Sequence, residues 1–194
     1  MRYLASIVEG HGEVAALPAL LQRIARLTAF TGHFRVNPPI RVKSGTFLND
    51  HDYFRKYVTL ATAKAAELNG SVLILLDCDD GCPGKLGPDL LQRAHAVRAN
   101  VDIFVALAYR EFETWFVTAA PSLRNMRGLP KDLDPPSAPD AIRDAKGWLS
   151  TKMNVPYDPV IHQLEFTRAI DLEQARTNRS FNRLYGRICN FLEK

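Results

Sequence analysis

The stretch Ser71-Val72-Leu73-Ile74-Leu75-Leu76 constrains this chain more than any other. An apolar run without alternation suits a strand covered on both faces, and such strands lie at the centre of parallel sheets. The segments around it read as helices. Asp52 to Leu68 is rich in Ala, Lys, Tyr and Leu, contains no Gly or Pro, and stops at Asn69-Gly70, which predicts a helix with a C-terminal turn. After the apolar run the sequence predicts a helix over Pro88 to Ala99, a second apolar strand from Ile103 to Ala108, and a helix opening at Arg110. Upstream, Tyr3 to Val8 reads as a strand and Glu9-Gly10-His11-Gly12-Glu13 as a tight turn. Val14, Leu17, Leu20, Leu21, Ile24 and Leu27 then recur at helical spacing, with the regular part expected from Leu17 and Pro18 in its first turn. Ile40 to Lys43 predicts one more short strand.

Strand and helix alternating over residues 1–120 define an α/β class, a Rossmann-like, mostly parallel sheet flanked by helices. Leu129 to Pro139 is a Pro- and Asp-rich loop, and Asp140 to Lys152, Val160 to Ile170 and Ser180 to Leu192 read as short helices. Residues 121–194 are therefore expected as a helical extension packed on the core. With 194 residues and 46% hydrophobic content, one compact domain is the natural size.

Composition excludes several classes. No apolar run approaches the roughly 20 residues needed to cross a bilayer, and the N-terminus turns acidic before a secretory segment could form. A cytoplasmic protein with no membrane partner is expected. Three cysteines, Cys78, Cys82 and Cys189, make no disulfide framework, and no second Cys/His pair stands at zinc-binding distance. The net charge of +4 suits a polyanionic partner without identifying one.

In open α/β sheets the functional crevice lies beyond the carboxyl ends of the strands. Glu9 follows the first strand there, with Glu13 one helical turn on, and Asp77 and Asp79 follow the central strand. Taken singly, Glu9 and Glu13 could serve a helix N-terminus and the aspartates a turn. Together they form a set of hard oxygen donors suited to Mg2+ or Mn2+, and two such ions can hold both oxygens of a phosphodiester displacement.

The pattern strand-Glu9-Gly10-x-x-Glu13 followed later by strand-Asp77-x-Asp79 resembles the Toprim superfamily of topoisomerases, primases and nucleases. With Arg110-Glu111-Phe112-Glu113-Thr114-Trp115-Phe116 added, the chain resembles an uncharacterised Toprim-like bacterial family, domain of unknown function 4276. That resemblance implies a metal-dependent nuclease or related nucleotidyl-transfer enzyme acting on DNA or RNA, in defence against mobile DNA. It implies Glu9 as general acid/base or metal contact, Asp77 and Asp79 as Mg2+ or Mn2+ ligands, and Glu13 at a second metal position. Glu113 is a further candidate ligand, with Glu111 behind it; if the segment is helical the two point in different directions, so only one of them reaches the site. The chain departs from the pattern where Thr118, Ala119 and Ala120 follow the Trp in place of an Asp, and where Gly12 replaces a common Thr.

Lys85 and Arg110 are the cations best placed to serve catalysis at a phosphate, with solvation or a local salt bridge as their ordinary reading. Arg179, Arg183 and Arg187 share one helix face and could either track phosphates or simply face solvent. Two rival readings stand beside the nuclease. Leu75-Leu76-Asp77-Cys78-Asp79-Asp80-Gly81 resembles the nucleophile motif of haloacid-dehalogenase-like phosphatases, although that motif normally ends the first strand. The other rival is an inactive metal- or nucleic-acid-binding partner of an ATPase.

Overall fold

Every strand pairing in the sheet is parallel, and alternate side chains along the strands sort the core into two halves. The computed structural model describes residues 1–193. Its strands are β1 (Arg2–Val8), β2 (Phe34–Val36), β3 (Ile40–Arg41), β4 (Ser71–Asp77) and β5 (Ile103–Ala108), in the order β2-β1-β4-β5, with β3 also on β1. β2 meets β1 near its start, Leu4 opposite Val36, and β3 near its end, Ile7 opposite Ile40. The apolar run of β4 lies between β1 and β5, as a strand without alternation requires.

The helices are α1 (His11–Arg26), α2 (Ser44–Asn49), α3 (His51–Ala66), α4 (Pro83–Val97), α5 (Thr114–Thr118), α6 (Ala145–Lys152), α7 (Leu164–Ala169), α8 (Leu172–Ala175) and α9 (Arg179–Glu193). On one face, Leu4, Val8, Leu73, Leu75, Phe104 and Ala106 pack with α1 and with residues of the last third, including Phe166, Phe181 and Ile188. On the other, Ala5, Ile7, Val72, Ile74, Val105 and Leu107 pack with Phe54, Val58 and Ala61 of α3 and Leu90 of α4. Each fully buried aliphatic side chain stabilises such a core by about 1.5–3 kcal/mol. Trp115 on α5 is 1% exposed and donates its indole N–H to Ser180 Oγ at 2.9 Å, so the short α5 is pinned between sheet and α9.

Several elements differ from expectation. α1 begins at His11 and runs through Pro18, not from Leu17, because burying Ala16, Leu17, Leu20 and Leu21 outweighs the hydrogen bond lost at proline. α4 starts at Pro83, with Pro in its first turn, earlier than the expected Pro88. β2, α2 and α8 are too short to leave a periodic pattern. The helix expected to open at Arg110 begins only at Thr114. Arg110 instead bridges Asp79, both in the left-handed region with φ of 66° and 44°.

Candidate active site

β1 and β4 are neighbours, and the chain leaves them toward opposite edges of the sheet, so their carboxyl ends mark the switch point where a crevice forms. Glu9 stands just past β1 and Asp77 ends β4. The two are joined directly, the Asp77 N–H donating to Glu9 Oε2 at 3.3 Å. Glu13, in the first turn of α1, reaches back to accept from Gly10 N at 3.0 Å and Glu9 N at 3.2 Å. This is half of a capping box, since Gly10 has no side chain to return the bond. Asp77 Oδ1 in turn accepts from Phe112 N at 2.8 Å, which draws the segment after β5 across the site.

That segment settles the roles of Glu111 and Glu113. Glu111 Oε2 accepts from Ala145 N at 2.7 Å and Lys146 N at 3.2 Å, capping α6. Glu113 turns inward and is fully buried. Its Oε1 accepts from Tyr157 Oη at 3.1 Å and Gln163 Nε2 at 3.3 Å. The two point apart, as a helix would also have required, but the chain that carries them is a turn and α5 begins only after Glu113.

One cation sits among these acids, and the sequence did not point to it. Lys146 Nζ lies 2.8 Å from Glu111 Oε1, 3.1 Å from Glu113 Oε2 and 3.7 Å from Asp77 Oδ2. The contact with Glu113 Oε2 is an ion pair without hydrogen-bond geometry, so that buried oxygen has no hydrogen-bond donor. Tyr157 and Gln163 were likewise unforeseen. They come from irregular chain and a short π-helical turn, Pro159–Gln163, which carry no periodic signal. A signal of a kind lies in Gly12. A Cβ there would come within 2.5 Å of the Pro159 carbonyl, so the residue is small to admit this turn, and a threonine would not fit.

The electrostatics follow from crowding. Burial pushes the Glu13 carboxyl up to about 7, with the Glu9 and Glu113 charges adding to the effect and the Gly10 N–H opposing it. Burial also raises Asp77 well above the ordinary range, helped by Glu13 and Glu113 and opposed by Lys146. Glu113 and Glu9 are raised for the same first reason, Lys146 opposing it at Glu113 and the Asp77 N–H at Glu9. Lys146 moves upward because the surrounding carboxylates outweigh its own desolvation.

The remaining sequence candidates fall outside this buried group. Asp79 is exposed on the loop after β4, near enough that its charge raises Glu9. Arg110 is committed to that loop. It pairs with Asp80 and donates to the Asp79 carbonyl at 3.3 Å. Lys85 lies exposed in the first turn of α4, with no ion pair to any described residue.

The donors are all hard carboxylate oxygens, and an orphaned buried oxygen on Glu113 leaves coordination capacity unused. Among the described residues, however, no three His, Cys, Asp or Glu side chains are gathered as a ligand set. The arrangement is a carboxylate cluster compensated by an ammonium. Its chemistry can hold protons or a cation.

Fold and site together define a parallel α/β protein with an acidic cluster at the switch point of its sheet. The chain belongs to the family described as Domain of unknown function (DUF4276), whose model matches residues 8–188. No curated protein and no solved structure matches it. Among the described residues no helix is long and apolar enough to cross a membrane.

Proposed function

We propose that the chain is a Mg2+- or Mn2+-dependent phosphodiester-cleaving enzyme of the Toprim kind, acting on nucleic acid. One observation carries this reading. Glu9, Glu13, Asp77, Glu111 and Glu113 converge at the carboxyl end of β1 and β4, and among the described residues Lys146 is the one ammonium paired within them. Buried like charges are held only when protons or further cations neutralise them. The position beyond β1 and β4 and the Toprim-like spacing of Glu9, Asp77 and Asp79 support the same assignment.

Asp77, Asp79 and Glu113, with Glu9 at the rim, would hold one or two ions, which supply positive charge to both oxygens of the displacement. Glu13 fixes the Glu9-Gly10 turn through its two backbone bonds and tunes the charge at a second position. Glu9 is half-buried and raised by that burial, which suits a side chain that takes and returns a proton. Lys146 replaces Lys85 and Arg110 as the cation at the reacting phosphate, because it alone of the three reaches the carboxylates.

The lysine also supports a second reading, an inactive partner whose acidic site is closed by its own ammonium. Titration calorimetry with Mn2+, paired with cleavage assays on labelled single-stranded DNA, duplex DNA and RNA, separates the two. The enzyme reading expects Mn2+ uptake, Mn2+-dependent cleavage of at least one polymer, intact nitrophenyl phosphate, and loss of cleavage in Glu9→Gln and Asp77→Asn. Uptake with every polymer intact favours the partner, and absence of uptake sinks the metal site.

A further inference from the structure

Beside the open edge of the sheet lies a cavity of about 720 Å3 that the acidic cluster does not share. Its floor is β5, the last strand in the sheet order, on which no described strand pairs from outside. The carbonyls of Asp102 and Ala108 accept from Val72 and Cys78 at the β4 side. Backbone groups alternate in direction along a strand, so Phe104 and Ala106 also face β4, whereas Val105 and Leu107 turn their N–H and C=O outward into the cavity. α4 and α9 cover opposite faces of the sheet, and both line the cavity, which makes it a slot between two helices with a strand edge at its base.

The two walls differ in chemistry. The α4 wall offers Pro88 and Leu91, beside Leu107 of the floor. The α9 wall offers Arg179, Arg183 and Arg187, all exposed and none in an ion pair with a described residue. Their neighbour Arg176, by contrast, is paired with Glu173 at 3.0 Å. Asp140, the one acid of the lining, is occupied by Asn178.

We propose that this slot takes an extended acidic peptide of a partner protein, added to β5 as a sixth strand. The outward main chain of Val105 and Leu107 supplies the ladder, as in other cases of strand addition to a sheet edge. Side chains of the added strand alternate between the walls, so its sequence alternates acidic residues, facing α9, with apolar residues, facing α4. The repeats match. Same-side residues of a strand recur every ~6.6 Å, and arginines four apart on a helix recur every ~6 Å, so three carboxylates of a five-residue segment can each meet one guanidinium. A second copy of this chain does not fit, because pairing β5 with β5 would bring two arginine rows together. A nucleic acid could use the arginines but has no use for a strand edge, and that distinction makes the test.

The probe is a fluorescein-labelled peptide alternating Glu and Val over about nine residues, enough to span the slot at ~3.3 Å each, with binding read by anisotropy on the full chain. Two N-methylated versions carry the methyl groups on one or the other alternate set of amides. Saturable binding is expected, weakened about tenfold or more by Arg183→Glu and about tenfold by one methylation pattern but not the other. Amide exchange at Val105 and Leu107 should slow in the complex. Equal tolerance of both methylation patterns, unchanged exchange at those amides, or failure to bind overturns the proposal. Displacement of the peptide by single-stranded DNA together with insensitivity to methylation reassigns the slot to phosphates. Arg183 is exposed, and the slot lining contains none of Glu9, Glu13, Asp77 and Glu113, so failure of the proposed cleavage activity leaves this binding result readable.

Discussion

In the acidic cluster Glu113 is wholly buried and the carboxylates outnumber the ammonium of Lys146, whereas in the slot beside β5 three arginines stand exposed, none in an ion pair with a described residue. Both regions carry unbalanced charge, but the surroundings decide what that imbalance costs. Inside, desolvation makes each uncompensated carboxylate a debit against folding and displaces its proton affinity. Outside, water screens the guanidinium groups, so their excess weighs on association and salt sensitivity and hardly on stability. The cluster is therefore where pH and mutation should act on the fold, and the slot where they should act on a partner.

The largest expected effect is on the pH dependence of stability. With Glu13 pushed up to about 7 from 4.5, folded and unfolded chains are both protonated below the lower value, and stability is full. Between the two values only the unfolded chain gives up its proton, so stability declines as pH rises, and above the upper value the loss is complete. The loss from this group is on the order of 3 kcal/mol, and the raised Asp77, Glu9 and Glu113 act in the same direction. Urea unfolding at about pH 5 and pH 8 measures it, and Glu13→Gln should flatten the slope. A slope that Glu13→Gln leaves unchanged would break the contrast between the two regions.

Next is Lys146→Met, which strands Glu111, Glu113 and Asp77 without their cation. Breaking a buried pair costs about 3–5 kcal/mol, and since Lys146 is 36% exposed, screening reduces the expected loss to about 2–3 kcal/mol. Adding Glu113→Gln should restore part of it, which a double-mutant cycle reads directly. Saturating Mn2+ at about pH 8 should restore more in the single variant if the ion takes the place of the ammonium. Tyr157→Phe removes one donor from the buried Glu113 and should cost about 1 kcal/mol in urea unfolding. Smallest of all, Arg183→Glu in the slot should change unfolding by less than about 0.5 kcal/mol while abolishing most of the salt dependence of peptide binding.

How much of this was legible beforehand depends on where each residue lies. The central strand and the ends at Glu9 and Asp77 could be read because a strand buried on both faces leaves an unmistakable apolar run, and a parallel sheet puts its crevice at one known edge. That Ile103 to Ala108 forms the sheet's edge could not be read, because α4 and α9 cover both its faces and its run is as apolar as that of β4. The arginine period was visible, its slot was not. Lys146, Tyr157 and Gln163 escaped for a different reason. They reach Glu113 from chain segments distant in sequence, and nothing local in Ala145-Lys146-Gly147 or Val155-Pro156-Tyr157 signals a buried carboxylate. That Glu111 and Glu113 point apart was legible from helical geometry, but which of them turns inward was not, because the chain there is a turn and not the expected helix.

The partners of Glu113 all follow it in the chain, and this sets an order of assembly. A polypeptide made from its N-terminus completes β1, β4 and β5 while Lys146, Tyr157 and Gln163 are still to come. During that interval Glu9, Asp77 and Glu113 meet water and free cations, without the lysine that later sits among them. The carboxylates are thus enclosed only when the closing turn at Pro159–Gln163 docks over Gly12, so the last third of the chain, and not the sheet alone, sets how far they are shut away from water.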